Sequence, residues 1–387
     1  MVAAKSETEG AVIAAPDCAH TGPGTLAGRF MRRFWQPVYL ARQLAPGHAK
    51  PIRIMSEDFT LYRGEGGAPH VVAYRCAHRG TQLSTGWVEG DCLRCFYHGW
   101  KYDGLGQCVE MPAEDASFPP KVQIKSYPTR EHLGLIFAYL GEGEPPSFPP
   151  YPAFRGEGLI DTWVFPAKNN FFQTYENSAD EVHVAFVHRM GGSHQGLYDL
   201  PRITAEETEY GLIRYGTRAS GDVRVSLHLV PTTTRVIIPP MAGLEGAGGW
   251  RDTYLTWVPV DDTQHLAFLT QLVPLTGEDA DAYVAQRERY MARSAAARPT
   301  TEVTADVLAG RLRLAEIEHP DLVVIQDEAS QKGQGIIEDR AGEHLGRSDV
   351  GVLAIRRVWE RELRALAEGR PLKQWRCPDD LSPVLGF

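Results

Sequence analysis

No stretch of the 387 residues approaches the ~18 consecutive apolar side chains that a helical membrane span needs. A basic start followed by an apolar core is also missing. Residues 1–25, rich in Ala, Gly, Thr and Pro, therefore read as a poorly ordered lead-in and not as a secretory signal. Positive charge is in deficit: 40 Lys and Arg against 49 Asp and Glu leave a net charge of −9, which argues against nucleic acid and against an anionic membrane surface as partners. Cysteine is scarce, and the six present (Cys18, Cys76, Cys92, Cys95, Cys108 and Cys377) lack the spacing of a disulfide framework, which suits a soluble protein of a reducing cytoplasm. There is no ferredoxin-type cysteine set, no Gly-x-Gly-x-x-Gly nucleotide fingerprint, no internal repeat and no low-complexity tract. What remains is an ordinary globular composition, long enough for two or three domains.

Against that background two of the six cysteines stand out, each joined to a histidine: Cys76-Ala-His78, then Cys95-Phe-Tyr-His98. Two thiolates and two imidazoles suit two chemistries. Zinc takes Cys2His2 as a closed tetrahedral site. A Rieske-type 2Fe-2S cluster takes two Cys on one iron and two His on the other. Gly80 beside the first pair and Gly99 beside the second allow tight turns that bring backbone N–H groups toward cluster sulfurs, which favours the second reading. Cys92 with Cys95 makes a Cys-x-x-Cys, but Cys95 is already claimed and Cys92 fits a strand position. The loops and their strands resemble the Rieske domain of Rieske non-haem iron oxygenases, with Phe96 standing where many of that family have Pro.

Strand patterns run from Ile52 to Tyr139 (52–54, 59–62, 71–74, 123–124 and 135–139), punctuated by Gly, Pro and Asp, as in a small antiparallel β-sandwich. A short aromatic helix is expected at 28–37. The Pro-rich segment 141–150 is the best boundary. Beyond it come a helical stretch at 170–190, strands across 203–272, and helices at 277–294, 320–334 and 350–368. The division expected is a lead-in and short helix over 1–35, a 2Fe-2S domain over 36–145, and an α+β catalytic domain over 146–387. On the later strands, Val236 with Ile238 and Phe268 with Leu272 alternate as a pocket wall would, and are equally well explained as plain core.

The helical stretch holds Asn177-Ser-Ala-Asp180-Glu-Val-His183-Val-Ala-Phe-Val-His188. Five helical steps leave two imidazoles roughly 140° apart, so they converge only if the helix turns or breaks between them. Two histidines with a carboxylate form the facial triad of mononuclear non-haem iron, with positions open for O2. Asn177, Asp180, His183 and His188 match the family motif, and Ile325-Gln-Asp327-Glu328 with the following Gly335-to-Asp349 segment resembles the phthalate-dioxygenase-like branch. The resemblance implies Asp327 as third ligand, with adjacent Glu328 as competitor, and places His344 in a structural role.

The resemblance further implies a helix-grip-like catalytic domain, with antiparallel sheet and helices, after the β-sandwich. The implied activity is that of a terminal oxygenase. It would take electrons from a separate NAD(P)H-dependent reductase (flavin plus ferredoxin-type) and use O2 to hydroxylate an aromatic substrate, an aromatic carboxylate being the expected class. An O- or N-demethylating monooxygenase is the alternative within the class; an electron carrier and a zinc-stabilised binding protein lie outside it. In the family scheme Asp180 is no ligand. It bridges His98 of one chain to His183 of the next, which requires a ring-shaped homo-oligomer, a trimer. Arg189, Arg202, Arg214, Arg224 and Arg235 all fall where a carboxylate could be met, and none is singled out.

Overall fold

The computed structural model describes residues 15–149, 154, 156–189, 199–240, 244 and 249–377. Residues 1–14 of the expected lead-in lie outside the described residues. Residues 15–25 pack down instead, with Ala19 and Thr21 buried and the Thr21 amide donating to Asp262 Oδ1 at 2.9 Å. The expected aromatic helix is α1 (Leu26–Met31), shorter and earlier than its sequence suggested. It stops because Trp35-Gln-Pro37 joins strand β1 (Trp35–Leu40), an edge strand where a residue without an N–H is tolerated.

Ten further short strands follow: β2 (Ala49–Ile54), β3 (Glu57–Arg63), β4 (Pro69–Ala73), β5 (Trp87–Glu89), β6 (Cys92–Arg94), β7 (Lys101–Tyr102), β8 (Cys108–Glu110), β9 (Ser126–Tyr127), β10 (Thr129–His132) and β11 (Leu135–Tyr139). All pair antiparallel, in sheets ordered β1-β11-β10, β2-β3-β4-β9 and β5-β6-β7-β8. The strand expected at 123–124 is displaced to β9, and Gln123 makes only an isolated bridge to Gln107. Cys92 sits on β6 opposite Glu89, and none of the six cysteines is joined in a disulfide.

The later part of the chain builds one seven-stranded antiparallel sheet. It comprises β12 (Leu159–Ala167), which the sequence reading did not anticipate, then β13 (Arg202–Glu207), β14 (Gly211–Thr217), β15 (Val223–Leu229), β16 (Thr233–Ile238), β17 (Arg251–Asp261) and β18 (Gln264–Val273), in the order β12-β18-β17-β16-β15-β14-β13. The helices are α2 (Phe171–Asn177), α3 (Val182–Val187), α4 (Gly277–Ala296), α5 (Thr300–Leu308, also unanticipated), α6 (Leu322–Gly333) and α7 (Val350–Ala367). The fold is therefore α+β, with small β-sheets first and a helix-covered antiparallel sheet second. Helix α7 buries the stripe Ile355, Val358, Trp359, Leu363 and Leu366. Trp359 packs edge-on against Phe30 of α1 and Phe172 of α2, at ring-centroid distances of 5.1 and 4.9 Å.

Register assigns the faces of the large sheet. Ser226 pairs with Val236, Val236 with Thr253 and Thr253 with Gln271, so these four share one face. Ser178, at the end of α2, contacts His228 and Thr234 on that face, and Tyr175 lies over Trp257, so α2 covers it. Leu272 pairs with Asp252 and Phe268 with Thr256, on the opposite face. Register thus decides between pocket wall and plain core for Val236, Ile238, Phe268 and Leu272, and corrects the wall reading for the second pair. Only the first pair faces the helices, whereas Phe268 and Leu272 belong to the main apolar core.

Candidate metal centres

The two Cys/His loops are built alike. Cys76 C=O accepts from Gly80 N–H at 2.9 Å, and Cys95 C=O accepts from Gly99 N–H at 3.0 Å. Both glycines have φ of +74°, a conformation that L-residues with a Cβ rarely adopt, so the turn requires Gly at each. The loops bury their sulfurs, with Cys76 and Cys95 at 3% and 2% exposure, and leave both imidazoles exposed. The His78 and His98 rings meet edge-on at 4.4 Å, and His78 stacks flat on Trp100 at 4.6 Å. Tyr102 Oη lies 3.2 Å from Cys76 Sγ. Burial and the Cys76 thiol push the Cys95 thiol up, whereas hydrogen bonds from the Tyr97 and His98 amides pull it down, toward the thiolate a metal needs.

A single zinc ion would draw four such ligand atoms to about 3.3–3.8 Å of one another. Among the described residues, the one group of three or more His, Cys, Asp or Glu side chains whose ligand atoms all lie within 4.8 Å is another set. Buried sulfurs on one side, paired imidazoles on the other and no convergence on one point fit a two-iron cluster better than one tetrahedral ion.

That other set is His183, His188 and Asp327. The expected helix over 170–190 is in fact two helices, α2 and α3, with a break at Ser178–Glu181, and α3 ends as His188 is reached. His183 lies inside α3 and His188 just past its end, so the roughly 140° separation of a continuous helix never applies. Asp180 caps the break, its Oδ1 accepting the Val182 amide at 2.8 Å and the His183 amide at 3.3 Å. His183 Nδ1–H donates to Asp180 C=O, and His188 Nδ1–H donates to Gln326 Oε1 at 3.1 Å. With both Nδ1 atoms held, both Nε2 atoms turn to Asp327 Oδ1, at 3.9 Å from His183 and 3.3 Å from His188. Asn177 Nδ2 lies 3.5 Å from both His183 Nε2 and Asp327 Oδ1.

Electrostatics separates the two imidazoles. Burial lowers His183 despite the Asp327 charge. For His188 burial is outweighed by the hydrogen bond and charge of Asp327, and it moves up, while Asp327 is held below the ordinary carboxylate range despite its own burial. The rival carboxylate is engaged elsewhere: buried Glu328 accepts from Thr304 Oγ1 at 3.1 Å and pairs with Lys332. His344 is exposed. Gln326 escaped the sequence reading, since a glutamine beside a candidate ligand gives no signal until the fold aims it at His188. A cleft of about 530 Å³ between β12, β18, α4 and α5 includes none of the ligand residues.

Comparison with known proteins gives this geometry its context. A profile for the Rieske 2Fe-2S domain matches residues 34–128. The 5,5'-dehydrodivanillate O-demethylase oxygenase subunit of Sphingobium sp. is 32% identical over 374 residues, covering 92% of this chain and 81% of that one. This chain belongs to the Rieske oxygenases. A tert-butanol monooxygenase / tert-amyl alcohol desaturase oxygenase subunit of Aquincola tertiaricarbonis is also 32% identical, covering 91% and 77%. The reduced oxygenase–ferredoxin complex of carbazole 1,9a-dioxygenase shares the fold, with a TM-score of 0.60 at 18% identity over 89% and 94% of the chains. As a Rieske oxygenase subunit, the chain is an oxidoreductase that uses a Rieske 2Fe-2S cluster, a mononuclear iron and O2. It acts on a small molecule and draws electrons from a separate protein. Among the described residues no helix is long and apolar enough to cross a membrane.

Proposed function

We propose that Cys76, His78, Cys95 and His98 hold the 2Fe-2S cluster, that His183, His188 and Asp327 hold the iron, and that Asp180 joins the two between neighbouring copies. The convergence of His183, His188 and Asp327 within 4.8 Å, each Nδ1 already bonded, carries the reading. When bound, the cluster supplies single electrons and the iron supplies a site where O2 is activated. The chain's own residues do the positioning. Trp100 stacks on His78, and the Tyr97 and His98 amides pull the Cys95 thiol down against the larger upward push of its burial. Asp180 orients His183 through its backbone while leaving its carboxylate 29% exposed, able to accept a proton-bearing imidazole from outside. Asn177 spans His183 and Asp327. The segment 36–145 would then be the electron-handling unit and 146–387 the oxygen-activating unit, in a cytoplasmic homotrimer served by a flavin- and ferredoxin-type reductase.

The reaction proposed is hydroxylation of an aromatic carboxylate. O-demethylation is the second reading, favoured by the demethylase relative covering most of this chain. The test is a single turnover: the protein is reduced without air, mixed with aromatic acids and their methyl ethers, exposed to O2 and read by mass spectrometry. Gain of two oxygens and two hydrogens identifies dihydroxylation, gain of one oxygen identifies monohydroxylation, and loss of a methyl as formaldehyde identifies the second reading. Protein filled with both irons that oxidises nothing in the panel would sink the aromatic assignment.

A further inference from the structure

The cleft between β12, β18, α4 and α5 has no part in the sites described so far. Register sets one of its walls. Trp163, Phe165 and Ala167 of β12 pair with Leu269, Ala267 and His265 of β18, so all six share the helix-covered face that carries Gln271. The Trp163 and Phe165 rings lie 4° from parallel with centroids 6.1 Å apart. Tyr290 and Met291 of α4 and Val324 of α6 join the lining. The space, about 530 Å³, is of a size that takes a small organic molecule.

One polar atom of these walls is left over. His265 is 1% exposed, and its Nδ1–H donates to Asn169 C=O at 2.9 Å, which leaves Nε2 with a lone pair only. Burial brings the ring down to about 4, so at neutral pH that atom stays an acceptor. It is buried without a partner, and a buried acceptor left unmade calls for a donor. Polar neighbours in the lining are engaged elsewhere. Tyr290 Oη donates to Asp321 Oδ1 at 2.6 Å, His319 bonds Arg298 C=O and the Asp321 amide, both at 2.9 Å, and Gln264 donates to Asp261 at 2.7 Å. A ligand's carboxylate has no donor at neutral pH, and an ammonium would meet Lys168 and Arg298, two exposed cations of the lining. A hydroxyl on an aromatic ring satisfies both conditions. We propose that this cleft is a binding site for a small phenol, its ring against Trp163 and Phe165 and its O–H donating to His265 Nε2. None of His183, His188 and Asp327 lines it, so the site is separate from the one proposed for iron and does not rest on the oxygenase reading.

The test is calorimetric titration of metal-loaded protein with para-cresol and with its methyl ether, which lacks the O–H, repeated on His265→Phe and Ala295→Trp. Ala295 is an exposed residue of the lining on α4, so Trp there fills the cleft without entering the core. The phenol is expected to bind at least about tenfold more tightly than the ether. His265→Phe should erase that preference, and Ala295→Trp should weaken phenol binding by at least about tenfold. Equal affinities in the native protein, the result if a trapped water already serves Nε2, overturn the proposal. So does the absence of phenol binding, or binding unchanged in Ala295→Trp, which would put the phenol at another site such as that of iron. Should His265→Phe fail to fold, Ala295→Trp decides alone. The oxygenase reading is scored apart, by iron content and turnover, and stands or falls whatever this cleft binds.

Discussion

At the scale of single residues, the proposed iron site depends on side chains that would never touch the metal. Gln326 is 2% exposed and accepts the Nδ1 proton of His188. Gln326→Leu should weaken iron binding by about 10–100-fold, read as iron retained after dialysis, while cluster absorbance is unchanged. A second residue-scale prediction concerns Glu338, pushed up to about 7 by burial, the Glu343 hydrogen bond and charge, and Glu176, against the pull of Arg340. Its folded-state value exceeds its ordinary 4.5, so between about pH 4.5 and 7 the unfolded chain gives up this proton while the folded one keeps it, and stability falls as pH rises. Glu338→Gln should flatten that decline and, by pH 8, add on the order of 1 kcal/mol once solvent screening is allowed for, measured as melting temperature against pH. The proposed ligands were legible, because Cys-x-His, Cys-x-x-His and His-x4-His are local spacings. Gln326 was not, because its role follows from the fold, which brings together residues 138 apart.

At the scale of elements, the break between α2 and α3 does what the sequence required of it. The period argument said that a continuous helix would separate His183 from His188, but not where it would stop. The stop is held from the far end of the chain. Gly351, in the first turn of α7, lies so close to the break that an added Cβ would meet Ala179 C=O at 2.7 Å and Arg214 Cγ at 3.3 Å. Gly351→Ala should therefore cost about 1–3 kcal/mol by overpacking and loosen iron without touching the cluster, seen as a lower melting temperature and partial iron loss with intact visible absorbance. Long periodic helices such as α4, α6 and α7 were readable to within a few residues. The unanticipated β12 and α5 carry weaker patterns, and their existence is decided by the partners they pair with.

At the scale of the whole molecule, the proposed circuit closes only between copies. His98→Ala removes a proposed cluster ligand and Asp180→Asn the proposed bridge, yet Asn should cap α3 about as well as Asp. Each variant alone should lose turnover, Asp180→Asn with both metal sites filled. Unfolded and reassembled together, the two should regain activity, since an intact cluster from one chain can then face an intact Asp180 on the next. Mixtures as inactive as the separate variants would mean that electrons travel within one chain, and sedimentation should show three copies of the 42.9 kDa chain.

The two-residue period of the large sheet also bears on how such a protein can change. Val236, Thr253 and Gln271 face the helices, while Phe268 and Leu272 point into the core. Alternate positions along one strand therefore answer to different selective pressures: a lineage could rewrite one set to accept new compounds while inheriting the other unchanged. Mutational libraries aimed at new substrates would do best to sample every second residue of β15, β16 and β17 and leave the residues between them fixed.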